Sequence, residues 1–224
     1  MQVHVLDVGP IDGDSILIIS PTGKTVLIDA GDTNKSKVVL DALKRYRVTQ
    51  LDYFIATHPH PDHLGGAAAV IKSIKVLNVI DNGLGPVAPI TVTTRPAPPV
   101  SANKKRKPTP TTFYEDYEAA VKQSGAQYEK AEPGKKYDLG GGARMTILGP
   151  SEPHFVKEQL KNGGNEPNAN SVVMRLDYGD FSMLLPGDAE TQTEPGKAGG
   201  RGRVRPEAGP ANAALCVKKT VISE

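Results

Sequence analysis

The stretch "LDYFIATHPHPDHLGG", Leu51 to Gly66, holds three of the chain's five histidines, His58, His60 and His63, with Asp62 among them. Imidazole is the commonest metal-ligating side chain, and borderline divalent ions take histidine and carboxylate together. Pro59 and Pro61 push His58 and His60 out of the helical region into extended backbone. Side chains two apart on an extended segment project to one side, so these two rings can face one ion. Asp62 and His63 fall where the next helix begins and point on a different bearing, within reach of a second ion. Gly65 and Gly66 carry no side chains, which lets the backbone pass close to its neighbours. The single cysteine, Cys216, excludes both an internal disulfide and a cysteine-rich zinc site, so imidazole and carboxylate must hold any metal.

Outward from this stretch the pattern is layered. "QVHVLDV" (Gln2 to Val8), "SILIIS" (Ser15 to Ser20) and "KTVLIDA" (Lys24 to Ala30) are short β-branched runs separated by turn residues, which predicts an antiparallel meander. Val39, Leu43 and Tyr46 then fall at helical spacing, with Thr33 or Asn34 placed to cap that helix. "LDYFIAT" is a fully apolar strand ending in the histidines, "LGGAAAVIKSI" (Leu64 to Ile74) reads as one helix, and "KVLNVI" (Lys75 to Ile80) as the next strand. The alternation implies an α/β layered fold. Further on, a helix from about Phe113 to Ser124 precedes strands near "AQYEKA" and "ARMTILGP". "SVVMRLDYG" and "FSMLLPGDAE" then form a hairpin turning at Gly179-Asp180.

Two segments break the pattern. Residues 84–112 are Pro/Thr/Ala-rich, aperiodic and carry the basic run Lys104 to Lys107, which reads as a mobile surface insertion with a nucleic-acid contact as the alternative. Residues 195–224 form a Gly/Pro/Arg-rich tail, leaving 1–194 as the folded domain; the tail reads as solvated, or as a basic arm for polyanions. The net charge of +2 does not itself argue for nucleic acid. No apolar run approaches the ~20 residues of a membrane-spanning helix, and no signal segment precedes the first strand. The expectation is a cytoplasmic protein with no membrane segment; nothing in the sequence marks an oligomeric state.

Two acids outside the cluster complete the candidates. Asp188, in "LLPGDAE", follows an apolar strand and is preceded by Gly187, whose backbone freedom lets it turn inward. It is the best distant ligand, with a helix N-cap before "AETQTE" as the alternative. Asp29 ends the strand "TVLIDAG" and, buried by context, needs a partner; orienting a ligand histidine through its second ring nitrogen is the natural role, a plain turn acid the alternative. His4 and His154 read as structural or exposed.

"THPHPDHLGG" matches the H-x-H-x-D-H signature of the metallo-β-lactamase superfamily, and "TVLIDAG" and "FSMLLPGDAE" resemble that superfamily's earlier and later Asp motifs. "HVLDVG…GDSILI" and "NANSVVMRLDYGDFSMLLPGDAE" are similar, more narrowly, to the hydrolase domain of competence (DNA-internalisation) proteins and their stand-alone relatives. The resemblance implies a four-layer αββα sandwich with metals at the edge between the sheets. It places His58 and His60 on a first ion, Asp62 and His63 on a second, and Asp188 between them, with Zn2+ or Mn2+ as one or two ions. Asn170 and Ser171, in "NANS", occupy a subgroup motif beside the ligands. Two departures stand out: "DVGPIDGD" carries extra residues between Gly9 and Gly13, and no histidine follows His154 to supply the family's later His-His-Gly-Ser ligand. The second half of the sandwich is therefore expected to be incomplete. The implied function is a metal-dependent hydrolase, most directly a phosphodiesterase or nuclease on nucleic acid in which Asp62 positions or deprotonates water and His63 or an open coordination position steadies the leaving oxygen. The alternatives are an ester, lactone or β-lactam hydrolase, and a non-catalytic metal- or DNA-binding protein with an incomplete site.

Overall fold

A computed structural model describes residues 1–9, 13–86, 112–160 and 166–189. The chain opens with the antiparallel meander β1 (Gln2–Val5), β2 (Ile16–Ile19) and β3 (Thr25–Ile28), in which Val3 faces Ile18 and Leu17 faces Leu27. Helix α1 (Ser36–Arg45) then carries the chain to β4 (Gln50–Ile55), which runs parallel to β3. Two short helices, α2 (Pro61–Leu64) and α3 (Ala67–Ser73), lead to β5 (Lys75–Asp81), and α4 (Thr112–Ser124) precedes β6 (Gln127–Lys130). Each crossover adds a parallel strand, so the larger sheet has the order β1-β2-β3-β4-β5-β6. A second, antiparallel sheet has the order β10-β9-β8-β7, from β7 (Lys136–Gly140), β8 (Ala143–Ile147), β9 (Met174–Tyr178) and β10 (Phe181–Leu185). A single helical turn, α5 (Glu166–Ala169), precedes β9.

Strand alternation divides the apolar residues between two cores. Leu17, Leu27, Phe54 and Val79 point to one face of the larger sheet, where Val39 and Leu43 of α1, Val70 of α3 and Tyr117 of α4 cover them. Ile18, Val26, Ile28, Ile55 and Ile80 point to the other face and meet Leu139, Met145, Met174 and Leu176 of the smaller sheet. Burial on both faces explains why "TVLI" and "YFI" read as continuous apolar runs. Among the described residues the layers are helices, sheet and sheet. The expected incompleteness of the second half concerns residues after Ala189, which lie outside the described ones, as do residues 87–111 of the insertion and the whole tail. No helix among the described residues is long and apolar enough to cross a membrane.

The structure departs from the sequence reading in three places. The single helix expected over Leu64 to Ile74 is two, interrupted at Gly65-Gly66. Helix α1 begins at Ser36 with Lys35 at its N-cap and no side-chain cap; Asp32 instead accepts from the Thr33 N–H and hydroxyl. The strand β7 was not anticipated in "KYDLG", whose Tyr137 and Leu139 alternate inward.

Candidate metal centre

The C-terminal ends of β3, β4 and β5 lie side by side, and each delivers polar residues to one edge of the sandwich. Asp29 follows β3 with φ at 56°, a left-handed conformation that aspartate tolerates better than most residues. That turn is fixed by two bonds to its own backbone: Asp29 N–H donates to the Ile55 carbonyl and the Ser15 hydroxyl donates to the Asp29 carbonyl. The histidine loop is zipped against it by the main chain. Ala30 N–H donates to the His63 carbonyl at 2.8 Å, and Gly66 N–H to the Gly31 carbonyl at 2.9 Å.

Asp29, 1% exposed, accepts three bonds: from Thr57 N–H at 2.8 Å, from the Thr57 hydroxyl at 2.7 Å, and from His63 Nδ1 at 2.9 Å. An ionised carboxylate only accepts, so His63 carries its proton on Nδ1 toward Asp29 and turns Nε2 to the open edge. The Thr57 hydroxyl, having donated to Asp29, accepts from His58 Nδ1 at 3.0 Å, which leaves the His58 Nε2 lone pair facing the same edge. One buried acid thereby sets the orientation of two candidate ligands, one directly and one through Thr57.

Opposite them stands Asp188, delivered by the turn after β10. Its Oδ1 lies 3.4 Å from His63 Nε2 and its Oδ2 4.0 Å from His58 Nε2, one oxygen for each ring. The candidate ligand atoms of His58, His63 and Asp188 all fall within 4.8 Å of one another. His60 Nδ1 comes within 3.0 Å of His58 Nε2, and Asp62 Oδ2 within 3.8 Å of His63 Nε2, so both border the same cluster. This nitrogen and oxygen set suits zinc or manganese.

The electrostatics agree with that fit. Burial first, then the charges of His63 and His60, push the His58 imidazole down to about 3 against the pull of Asp188, keeping its lone pair available. For His63 burial acts downward, but hydrogen bonds to Asp188 and Asp29, with their charges, outweigh it and raise the ring to about 11. The bond to His63 in turn holds Asp188 below the usual carboxylate range. A corner that retains a proton so firmly on His63 favours positive charge there, and metal uptake would displace that proton.

Gly187 has φ at 55°, and a Cβ there would sit 3.0 Å from Thr57 Cβ and 3.2 Å from Ser171 Cβ. Ser171 thus lies beneath the turn that carries Asp188, its buried Oγ without a hydrogen-bond partner among the described residues. Asn170 is fully buried, but its side chain is spent on backbone: Oδ1 accepts from Phe155 N–H, and Nδ2 donates to the Phe155 and Glu166 carbonyls. It shapes the loop rather than touching a ligand ring. Sequence reasoning missed Asn82, whose Nδ2 donates to the Asn170 carbonyl at 2.9 Å and ties β5 to that loop. It also missed Asp81, whose carboxylate takes the hydroxyls of Tyr117 and Tyr128. Neither residue belongs to a local motif. His4 stacks on Tyr46, and His154 lies near Glu152, both apart from the cluster.

Asp29→Asn tests the orienting role. An amide cannot accept all three donors, so metal affinity is expected to fall roughly 10–100-fold, the cost of losing such an outer partner. Competition with a chromogenic chelator measures it, and unchanged affinity would remove Asp29 from the role.

A two-sheet α/β sandwich with histidines and aspartates gathered at one sheet edge defines a class of metal-site proteins. The sequence matches the Metallo-beta-lactamase superfamily over residues 8–218, and the chain belongs to that family. The superfamily binds divalent metal ions, typically zinc, and its members are usually metal-dependent hydrolases. ComE operon protein 3 of Bacillus subtilis (strain 168) is 25% identical over 211 residues, which cover 86% of this chain and 23% of that protein. Among solved structures, a metallo-β-lactamase with a HARLDQ motif from Cronobacter sakazakii is 17% identical, with a TM-score of 0.45 over 82% of this chain and 63% of that one. The FEZ-1 metallo-β-lactamase from Legionella gormanii is also 17% identical, with a TM-score of 0.45 over 83% of this chain and 60% of its own. The chain thus spans under two thirds of these structures and under a quarter of the competence-operon protein.

Proposed function

We propose that this chain is a metal-dependent phosphodiesterase acting on nucleic acid. The observation that carries the hydrolase reading is the convergence of His58, His63 and Asp188, with one Asp188 oxygen turned to each ring. In this reading His58 and His60 would hold one ion and Asp62 and His63 a second, with Asp188 available to both. When bound, such ions supply a water of lowered pKa and polarise the scissile oxygen. Asp62, half-buried with Oδ2 3.8 Å from His63 Nε2, would orient the attacking water and receive its proton, while Asp29 and Thr57 hold the two rings against rotation. The choice of a phosphodiester rests on the likeness to the competence-operon protein and on the basic runs at Lys104 to Lys107 and Arg201 to Arg205, which suit a phosphate backbone.

The test is purified protein with Zn2+ or Mn2+ against an oligonucleotide, a lactone and a β-lactam. Cleavage of the oligonucleotide, lost in His60→Ala, is the expected result. Turnover of only the lactone or β-lactam would move the substrate class. DNA binding with a steep salt dependence and no hydrolysis under either metal would replace the enzyme with a metal- and DNA-binding protein.

A further inference from the structure

Thr57 lies where the two sheets meet the metal edge, and each of its groups is engaged. The residue is 1% exposed. Its N–H and hydroxyl both donate to Asp29, and its carbonyl accepts from Val172 N–H at 2.8 Å. Its methyl lies under the turn that carries Asp188, where a Cβ at Gly187 would sit 3.2 Å from Thr57 Cγ2. We infer that Thr57 is a positioning residue whose hydroxyl selects the tautomer of His58, keeping the Nε2 lone pair of that ring free for a metal ion. The inference rests on the metal-site reading above and is independent of the substrate class.

A choice exists because His58 has a polar neighbour at each ring nitrogen. Nδ1 lies 3.0 Å from the Thr57 hydroxyl oxygen, and Nε2 lies 3.0 Å from His60 Nδ1. Burial keeps the ring neutral, and a neutral imidazole carries one proton. With that proton on Nδ1, His58 donates to Thr57, and Nε2 accepts from His60. With it on Nε2, His58 donates to His60, and the atom 4.0 Å from Asp188 Oδ2 has no lone pair to give. The contact with His60 is a hydrogen bond in either direction, so it does not decide between the two tautomers. The decision falls to Thr57.

What Thr57 presents is in turn fixed by Asp29. Its hydroxyl has one proton and two claimants, the Asp29 carboxylate at 2.7 Å and His58 Nδ1 at 3.0 Å. The bond to the carboxylate is charge-assisted and the shorter of the two, so the proton points at Asp29 and the oxygen turns a lone pair to His58. Against that lone pair the Nε2–H tautomer would set a second one, two acceptors facing each other at 3.0 Å in a buried place. The Nδ1–H tautomer removes the conflict. The Thr57 N–H, bound to the other Asp29 oxygen at 2.8 Å, holds the carboxylate in the pose that enforces this choice.

Long-range 15N–1H correlation spectra of the whole, metal-free chain read the tautomer of each histidine. His58 is expected as Nδ1–H in the unaltered chain and in Thr57→Ser, which keeps the hydroxyl. It is expected as Nε2–H in Thr57→Val, which keeps the shape but leaves only the His60 side of the ring with a hydrogen-bond partner among the described residues. His63, held by Asp29 directly, keeps its Nδ1 proton in all three and reports that the site is still assembled. Zn2+ affinity, from competition with a chelator, should fall roughly 10–100-fold in Thr57→Val and return in Thr57→Ser. Thr57→Ala repeats both measurements if Thr57→Val does not fold. Nδ1–H on His58 without the hydroxyl, or Nε2–H in the unaltered chain, overturns the inference. So does an altered His63, which marks a structural role, or undiminished Zn2+ affinity once the tautomer has changed. If the unaltered chain takes up no Zn2+, the metal reading fails, and the spectra still decide whether Thr57 selects the tautomer.

Discussion

Asp188→Ala is expected to lower metal affinity by more than about 100-fold, beyond the cost of losing an outer partner, and to abolish hydrolysis with it. The reasoning is geometric. Among the described residues Asp188 is the one carboxylate with an oxygen turned to each of His58 and His63, and it arrives from the smaller sheet while the rings come from the larger. Removing it leaves the rings, among the described residues, with candidate ligands from their own loop only. The side chain is 37% exposed and belongs to neither hydrophobic core, so the variant should remain folded by circular dichroism. Asp188→Asn separates charge from shape: it keeps the volume but loses the charge that would face a metal and the ionic pair with His63. Metal content after dialysis is the deciding measurement. Full occupancy in Asp188→Ala would show that the histidine loop suffices alone and that the facing carboxylate is incidental.

Gly66→Ala should destabilise the fold strongly. A Cβ at Gly66 would lie 2.3 Å from the Ala30 carbonyl oxygen, a backbone atom in the turn that positions Asp29. Neither side can yield without breaking the Ala30 to His63 and Gly66 to Gly31 bonds, so the cost should reach or exceed about 3 kcal/mol, the upper range for overpacking. Gly23→Ala is the control. Its φ of 87° also disfavours a side chain, yet a Cβ there meets nothing within 4 Å, so only local strain of about 1–2 kcal/mol is expected. Urea midpoints of the two variants give the comparison. If Gly66→Ala costs no more than Gly23→Ala, the close dovetailing of the two loops is wrong.

Which features were readable from sequence follows from how local their causes are. The meander, α1, β4 and the Gly179-Asp180 hairpin each carry a periodic or turn signal within a few residues. The prolines and glycines of "THPHPDHLGG" likewise announce the geometry of their own loop. The break between α2 and α3 escaped, because Gly65 and Gly66 are demanded by Asp32, Thr33 and Ala30 across space rather than by neighbours in the chain. Strand β7 escaped because only Tyr137 and Leu139 mark its inner face, between lysines and a run of glycines. Asp29 was assigned a histidine partner from burial and chemistry, and the structure places His63 there. That the same carboxylate also governs His58 through Thr57 could not be read, since a threonine hydroxyl carries no motif. Asn170 was singled out by resemblance, yet its bonds go to Phe155 and Glu166, fifteen and four residues away in sequence.

The main-chain bonds that fasten the histidine loop have a wider meaning. Ala30 to His63, Gly66 to Gly31, and Val172 to the Thr57 carbonyl at 2.8 Å join the loop to both sheets without using any ligand atom. The entropy of ordering the loop is thus met during folding and not at the moment of metal uptake. In a zinc finger the ion is a condition of the fold; here an ion would enter a frame that the main chain has already closed.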